Sequence, residues 1–238
     1  MRVGIAGCGL IGGSLALALR ETHDVRAFDP AGTGDIARAT RLEDLLQADV
    51  VVVATPLSAV VPTLRALAGQ ANGAVLMDVG SLKREVAAFA DSAPATARIV
   101  GGHPMAGTTE RGYAAARADL FDGRPFFLVP TARSDERAMT VAGDLARAAG
   151  AIPTVVSAQE HDRIVAILSG LPLVLARALA RVGADVSDLA GPGFRDATRL
   201  AQTPPELADA LLQGNAAEVR AALAKLRAAL DDVERDLG

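Results

Sequence analysis

The chain has 238 residues, of which 50% are hydrophobic but only 3% aromatic, so its core must be built from alanine, valine and leucine. The net charge is −4, with acidic and basic residues interspersed, which excludes the basic stripe typical of a nucleic-acid-binding protein. The single cysteine, Cys8, excludes an intramolecular disulfide and favours a reducing compartment.

The N-terminus, MRVGIAGCGLIGGSLALALR, is apolar like a secretory signal peptide. However, glycines interrupt its apolar core and no small-residue cleavage site precedes a polar start. No apolar run approaches the roughly 20 residues that a membrane span needs. We therefore expect a soluble, cytoplasmic protein that has no membrane partner, and we assign it no metal site.

Short β-branched runs alternate with alanine-rich helical patterns over the first part of the chain. The predicted strands are RVGIAG, DVRAFD, DVVVVAT, AVLMDVG, RIVGGHP, PFFLVPT and IPTVVS. The predicted helices are IGGSLALALRE, LEDLLQA, AVVPTLRALAGQ, KREVAAFADSA and residues 134–149. This alternation is typical of a parallel, doubly wound α/β sheet.

The pattern changes near Ala158, after which helical periodicity dominates. Helices are predicted over 158–182, 186–202, 205–213 and 216–236. We therefore place a domain boundary near Ser157, without a flexible linker. The predicted organisation is a Rossmann-type domain, residues 1–157, followed by a smaller all-helical domain, residues 158–238.

A glycine-rich segment, GCGLIG, follows the first predicted strand and opens the first helix. Its Gly7 permits a tight turn, Gly9 lets the backbone approach a pyrophosphate, and Gly12 lets the helix pack on the strand. The helix N-terminus, with Leu10 and Ile11, supplies N–H donors to the phosphates. The segment therefore predicts a dinucleotide site.

Asp29 ends the second predicted strand, where a carboxylate hydrogen-bonds a ribose 2′-hydroxyl and repels a 2′-phosphate. Arg26 lies within the strand rather than after it. The sequence therefore favours NAD over NADP. We interpret Cys8 as a small buried thiol that fills the glycine turn, and His23 as a solvated loop residue.

Polar side chains follow three further strands at the edge where ligands bind in open α/β folds. Thr55 and Pro56 follow DVVVVAT, while Ser81, in DVGSLK, serves either as a helix N-cap or as a ligand-facing hydroxyl. Lys83, in the first turn of that helix, is expected to be solvated. His103, after RIVGG, is either a hydrogen-bonded turn residue or a general base.

Six segments in order resemble the prephenate/arogenate dehydrogenase family. They are GCGLIGGSLALAL, TPLSAV, DVGSLK, GGHPMAGT, EHDRIVAILSGLP and GFRDATRLA. The resemblance implies a Rossmann domain, a helical domain that forms an intertwined homodimer, and NAD(P)-dependent oxidative decarboxylation of a small-molecule substrate on the way to tyrosine. It also implies that His103 is the catalytic histidine at the C4 hydroxyl, with Ser81 holding both.

The same resemblance assigns Arg199 to the ring carboxylate, with Asp196 as its orienting partner. These two residues stand three apart, close enough to interact on one helical face. Thr109 joins the substrate-binding set by position, although the family commonly has glutamate there and Glu110 comes one residue later. Gly101 and Gly102 are expected to leave room beside His103 for the substrate ring and the nicotinamide.

The chain departs from the family in SGLPL, where many prephenate-using members have SHLPH. Gly170 and Leu173 replace the two histidines, so prephenate and arogenate both stay open as substrates, with prephenate favoured. We interpret His161, in EHDRIVA, as a structural or capping residue, which leaves His103 as the main imidazole candidate for proton transfer.

Two other kinds of protein share parts of this pattern. A β-hydroxyacid dehydrogenase or an imine reductase would need a catalytic lysine in the helical domain, whose only lysine is Lys225, or no histidine after the fourth strand. A non-catalytic NAD-binding regulator would explain the missing histidines.

Overall fold

Seven strands form one sheet at the centre of the first unit of the chain. The computed structural model describes residues 1–108 and 110–237. The strands are β1 (Arg2–Ala6), β2 (Asp24–Phe28), β3 (Val50–Val53), β4 (Val75–Asp78), β5 (Arg98–Pro104), β6 (Pro125–Pro130) and β7 (Ile152–Val155). They lie in the order β2-β1-β3-β4-β5-β6-β7.

The first five strands run parallel, as predicted, but β6 pairs antiparallel with β5 and β7 runs parallel with β6. The prediction of a wholly parallel sheet is therefore wrong for its last two strands. Among the described residues between β5 and β6, the one helical element is a 3₁₀ turn, Tyr113–Ala115. An α-helical crossover, the usual means of bringing a following strand back parallel, does not occur among them.

Four helices cover the sheet: α1 (Leu10–Leu19), α2 (Leu57–Ala68), α3 (Arg84–Ser92) and α4 (Glu136–Ala148). Alternate valines of β3 face opposite layers. Val50 and Val52 pack with α1 and α4, whereas Val51 and Val53 pack with α2 and α3. All four valines are fully buried, and each such side chain contributes about 1.5–3 kcal/mol by burial. This continuous apolar run is the sequence signature of a strand covered on both faces.

The second unit is all-helical. Its elements continue from α5 (Ala158–Val165) through a π-helical turn (Ala166–Gly170) to α6 (Leu171–Val182), α7 (Pro192–Thr198), α8 (Pro205–Gly214) and α9 (Ala216–Asp236). The helix predicted over 186–202 is broken. A 3₁₀ turn, Ala184–Leu189, precedes Gly191, and α7 then begins at Pro192 because proline favours a first helical position.

The chain divides into two compact units, Met1–His161 and Asp162–Gly238. The division falls inside α5, a few residues beyond the domain boundary predicted near Ser157. The predicted domain boundary itself stays a prediction. His161 belongs with the first unit because its imidazole packs against residues of β5 and β6.

One helical stretch of the described residues, Ala158–Val182, is long and apolar enough to cross a membrane by length and composition alone. The sequence analysis expects no uninterrupted apolar run of that length, but this helical stretch also includes polar residues. The π-helical turn joins α5 to α6 and so extends the stretch to 25 residues. Core helices of soluble proteins also reach this length and apolarity.

Candidate functional site

The glycine turn between β1 and α1 lies at the carboxyl edge of the sheet, where the strand order places β1 between β2 and β3. Gly7 has φ +97°, and a Cβ there would lie 2.6 Å from the carbonyl oxygen of Ala54. A Cβ at Gly12 would lie 1.9 Å from the carbonyl oxygen of Gly7. Gly9 instead faces open space, since no described atom lies within 4 Å of its ideal Cβ position. The outer glycines are needed for packing, and the middle one leaves a free approach to the backbone.

Helix α1 begins directly after this turn and has no side-chain cap. Gly9 is its N-cap residue, and the first helical hydrogen bond runs from the Gly13 amide to the Gly9 carbonyl at 2.8 Å. The amides of Leu10, Ile11 and Gly12 precede that bond, so the helix itself offers them no acceptor. Three donors and the positive end of the helix dipole are therefore available to a phosphate.

Asp29 follows β2 and holds the glycine turn. Its carboxylate accepts hydrogen bonds from the amides of Cys8 and Ala31, both at 2.7 Å. Ionised carboxylate oxygens accept more than one hydrogen bond each, so Asp29 keeps capacity for a hydroxyl ligand. The Cys8 thiol is buried, and burial followed by the charges of Asp29 and Asp35 raises its pKa to about 11. The interpretation of Cys8 as a small buried thiol fits this environment.

Thr55 lies beyond the end of β3, on the other side of the glycine turn from Asp29. Its hydroxyl oxygen is buried and has no hydrogen-bond partner among the described residues. Pro56 is the N-cap residue of α2. A buried hydroxyl without a partner costs free energy, and a bound polar ligand would supply the missing hydrogen bond. The open Gly9, the uncapped amides of α1 and this hydroxyl all fit a dinucleotide.

An ion pair is buried at the end of β4. The Lys83 ammonium donates to the Asp78 carboxylate, and both side chains are fully buried. Burial raises the pKa of Asp78, whereas Lys83 and the Gly80 amide act in the opposite direction. The expectation that Lys83 is solvated is therefore wrong. It precedes α3 as the N-cap residue, and its side chain runs inward under β5.

This lysine also explains the glycines before His103. A Cβ at Gly101 would lie 2.9 Å from Lys83 Cδ, and one at Gly102 would lie 2.5 Å from Met77 Cε and 2.7 Å from the Asp78 carbonyl oxygen. The expectation that these glycines leave room for ligands is therefore corrected. They make room for groups of the protein's own interior.

Ser81 lies in the loop between β4 and α3 and is partly buried. The reading of Ser81 as the N-cap of α3 is wrong, because the cap position is Lys83 and carries no side-chain cap hydrogen bond. Within the described residues no hydrogen bond joins Ser81 to His103. Its role toward a ligand stays a prediction.

His103 lies within β5, opposite Phe127 of β6, rather than in a free turn. Its Nδ1 lies 2.9 Å from Nε2 of His161, which is fully buried. The two rings meet edge to face with centroids 5.1 Å apart, and the His161 ring also meets Phe127 edge to face at 5.5 Å. The sequence analysis interprets His161 as a capping or structural residue. It does not predict this pair, because the two residues stand far apart in the chain.

The environment of His103 favours its neutral form. Burial, followed by the charges of His161 and Lys83, lowers the pKa of His103 well below its ordinary value of 6.5. A neutral imidazole has one unprotonated nitrogen and can accept a proton at physiological pH. The geometry and the electrostatics are therefore those of a base at the carboxyl edge of the sheet.

The remaining predicted side chains lie in the second unit. Asp196 is in α7, Arg199 follows the end of that helix, and both are exposed. The predicted contact between them is not made, since no ion pair joins them among the described residues. Helix α7 ends at Thr198, and Arg199 begins a 3₁₀ turn.

Two further positions singled out from the sequence also lie in the second unit. Gly170 ends the π-helical turn, and Leu173, in α6, is buried. Thr109, assigned to the substrate-binding set, lies outside the described residues. No group of three or more potential metal ligands occurs in the part of the chain that the structure describes.

Two family models match the chain along almost its whole length. Residues 17–154 match the nucleotide-binding domain of prephenate dehydrogenase, and residues 157–237 match its dimerization domain. The chain belongs to the prephenate dehydrogenase family. The resemblance read from the sequence is thereby confirmed. The glycine turn lies ahead of the first matched residue, so it supports the dinucleotide site independently of the match.

Other prephenate dehydrogenase family members and solved structures agree with this assignment. Prephenate dehydrogenase of Bacillus subtilis (strain 168) is 32% identical over 226 residues, 85% of this chain and 61% of that protein. Cyclohexadienyl dehydrogenase of Zymomonas mobilis is 30% identical over 236 residues, 90% of this chain and 80% of that protein. The crystal structure of Synechocystis arogenate dehydrogenase has a TM-score of 0.85 at 28% identity, covering 99% of this chain and 91% of that one. The chain spans about three fifths of the length of the Bacillus relative.

The buried ion pair of this family member generates a stability prediction. Lys83→Met should lower the free energy of unfolding by about 3–5 kcal/mol, because it leaves the Asp78 carboxylate buried without its cation. Lys225→Met is the matched control, since Lys225 is the other lysine and is exposed on α9. Its effect should stay within about 0.5 kcal/mol. Urea unfolding followed by circular dichroism measures both.

A double variant tests the cause of that loss. Adding Asp78→Asn to Lys83→Met should recover part of the lost stability, because a neutral amide replaces the unpaired carboxylate. Equal losses for Lys83→Met and Lys225→Met, or a further loss in the double variant, would contradict the assignment of a buried ion pair.

Proposed function

We propose that this family member is an NAD-dependent prephenate dehydrogenase, which converts prephenate to 4-hydroxyphenylpyruvate and CO2 in tyrosine biosynthesis. The observation that carries the proposal is a neutral histidine, His103, at the carboxyl end of β5. This is the same edge of the sheet that carries the glycine turn. Oxidation of a carbinol removes a proton from the hydroxyl oxygen and a hydride from its carbon, and it therefore requires a base and a bound dinucleotide.

The cofactor proposed is NAD, which when bound accepts the hydride. The turn through Gly7, Gly9 and Gly12 and the first-turn amides of α1 would hold its pyrophosphate. Asp29 would bind a ribose hydroxyl, and its negative charge would disfavour the 2′-phosphate of NADP. The unpartnered hydroxyl of Thr55, with Pro56 beside it, would contact the cofactor where it passes β3.

His103 would take the proton of the C4 hydroxyl as the hydride leaves C4. The bond between the ring and its carboxylate then breaks and releases CO2. The electron pair of that bond completes the aromatic ring and places a negative charge on the C4 oxygen, which takes the proton back from His103. No net proton is lost, and aromatisation supplies the driving force. The protein mainly orients the substrate and moves one proton.

The other substrate contacts proposed follow the family resemblance. Ser81 would hydrogen-bond the C4 hydroxyl and hold His103, and Arg199 would bind the ring carboxylate. Asp196 would orient Arg199 once a ligand draws the two side chains together. Thr109 would complete the substrate-binding set.

Arogenate is the second candidate substrate, and one observation keeps the choice between the two open. Gly170 and Leu173 replace two histidines common among prephenate-using members, and the buried Leu173 offers no polar group to a substrate side chain. Arogenate differs from prephenate only in that side chain, where an aminated carbon replaces the keto group. The chemistry at C4 is the same for both.

We also propose that the protein acts as a cytoplasmic homodimer formed through its helical domain. Large apolar side chains are exposed on the second unit, among them Leu189 at 86% and Val182 at 80% exposure. Burial in a partner subunit would remove this apolar surface from water. Sedimentation equilibrium should give twice the chain mass at micromolar concentration; a monomer at that concentration would contradict the dimer.

The open space at Gly9 yields a test of the cofactor site. Gly9→Ala should leave the thermal midpoint unchanged, because its Cβ would meet no atom of the described residues, but should weaken NAD binding about tenfold or more by occupying the phosphate approach. Gly69→Ala is the matched control, since Gly69 also has negative φ and open space but lies at the end of α2. Calorimetric titration measures both, and equal NAD affinity in the two variants would contradict the site.

The activity is tested by supplying prephenate and arogenate in turn, each with NAD and with NADP. We expect NADH formation with CO2 release, chiefly from prephenate and NAD.

His103→Asn should lower kcat by about 10²–10⁴-fold while NAD affinity is kept. In the unmodified protein, the acidic limb of the kcat/KM profile should lie below pH 6.5, because the pKa of His103 is lowered. Near-normal turnover by His103→Asn would refute its role, and NAD binding without turnover of either substrate would favour a non-catalytic regulator.

A further inference from the structure

The second imidazole of the histidine pair has no part in the mechanism described so far. His161 is fully buried, its backbone amide donates to the Ser157 carbonyl at 2.8 Å, and its ring packs edge to face on Phe127. Its position is therefore fixed by both backbone and side-chain contacts. Its Nε2 is held 2.9 Å from Nδ1 of His103, a distance that requires one proton between the two nitrogens.

Two arrangements of that proton are possible, and they have opposite consequences for His103. If His161 Nε2 carries the proton, His103 accepts it at Nδ1 and bears its own proton on Nε2, which makes the free nitrogen a donor. If His103 Nδ1 carries the proton, the free Nε2 is unprotonated and can act as a base. The hydrogen bond to a neighbouring group selects between these tautomers.

We propose that His161 is a positioning residue for His103, whose Nε2 accepts the Nδ1–H of His103 and so leaves Nε2 of His103 as the proton acceptor. The inference rests on the proposed function, because only a base at His103 requires this tautomer. His161 acts through His103 and makes no contact of its own with the reacting atoms.

The charge of the group that hydrogen-bonds His103 affects how readily His103 takes up the substrate proton and returns it. A carboxylate in the position of His161 would stabilise the imidazolium strongly and hold the proton on His103. An imidazole orients the ring but, unlike a carboxylate, brings no negative charge, and burial and the nearby Lys83 ammonium make a positive charge on His103 costly. The proton taken from the C4 hydroxyl is therefore held weakly and is readily returned to the C4 oxygen once CO2 has left.

The tautomer can be read directly, without any assay of activity. The chain has three histidines, so ¹⁵N NMR of the imidazoles needs only His23→Gln and His161→Leu for assignment. In the unmodified protein, Nδ1 of His103 should carry the proton and Nε2 should not. In His161→Leu, which keeps an apolar side chain against Phe127 but removes the acceptor, the tautomer should shift towards protonated Nε2. In His161→Gln, whose amide oxygen can reach the same place, protonation at Nδ1 should be kept.

Turnover should follow the tautomer. His161→Leu should lower kcat about tenfold or more with little change in the KM for NAD, less than the about 10²–10⁴-fold expected for loss of the base itself. His161→Gln should restore most of that loss. His23→Gln is the control and should behave as the unmodified protein.

Two results would overturn the role of His161. One is a protonated Nε2 on His103 in the unmodified protein, and the other is an unchanged His103 tautomer and kcat in His161→Leu. Failure of the proposed function gives a different pattern. The unmodified protein would then turn over neither prephenate nor arogenate, although its His103 carried the proton on Nδ1 and lost that preference in His161→Leu.

Discussion

Parallel pairing of β1 to β5 brings five carboxyl ends of strands to one edge of the sheet, and the geometry of the first unit follows from this constraint. The edge carries the glycine turn after β1, Asp29 after β2, Thr55 after β3 and the ion pair after β4. Each of these groups is formed by residues close together in the sequence. They become neighbours of one another only through the register of the strands. The sheet therefore determines which residues can share a ligand, and the loops determine what each one offers.

The reversal of β6 changes what β5 can hold. The pairing of β5 with β4 ends at Gly101, but its pairing with β6 continues to Pro104, so His103 lies on paired strand backbone rather than on a free loop. Phe127, directly opposite His103 in β6, packs edge to face against the imidazole of His161. In the proposed reaction, a base at His103 would gain from such support, whereas Ser81 lies on a loop without it.

The sequence was informative where a local rule decides the outcome. Strand and helix alternation, the valine run of β3 and the three glycines of the turn follow from propensity and sterics within a few residues, and the structure agrees with them. Motif order was enough to place the chain in its family. The direction of β6 was not predictable in this way, because hydrophobic pattern carries no information on whether a strand runs parallel or antiparallel.

Two features of the site that the sequence does not predict have a common physical origin. The expectation that Lys83 is solvated is wrong, and the pairing of His161 with His103 is not foreseen, since isolated charged and polar residues at helix starts are usually exposed. Both are buried because a partner from another element compensates them, Asp78 in one case and His103 in the other. Such pairing depends on tertiary structure and leaves no periodicity in the sequence. Asp196 and Arg199 show the converse, since suitable spacing does not produce an ion pair between them.

The two glycines before His103 have a consequence for how this sequence can vary. The Lys83 side chain and the end of β4 occupy the volume that Cβ atoms at Gly101 and Gly102 would need. A larger residue at Gly101 becomes tolerable only if a shorter one stands at Lys83, and shortening Lys83 leaves Asp78 without its cation. Gly101 and Lys83 are therefore constrained to change together, and a drifting sequence can enlarge Gly101 only by first neutralising the buried carboxylate. Gly102 is constrained separately, because Met77 and the backbone of Asp78 occupy the space beside it.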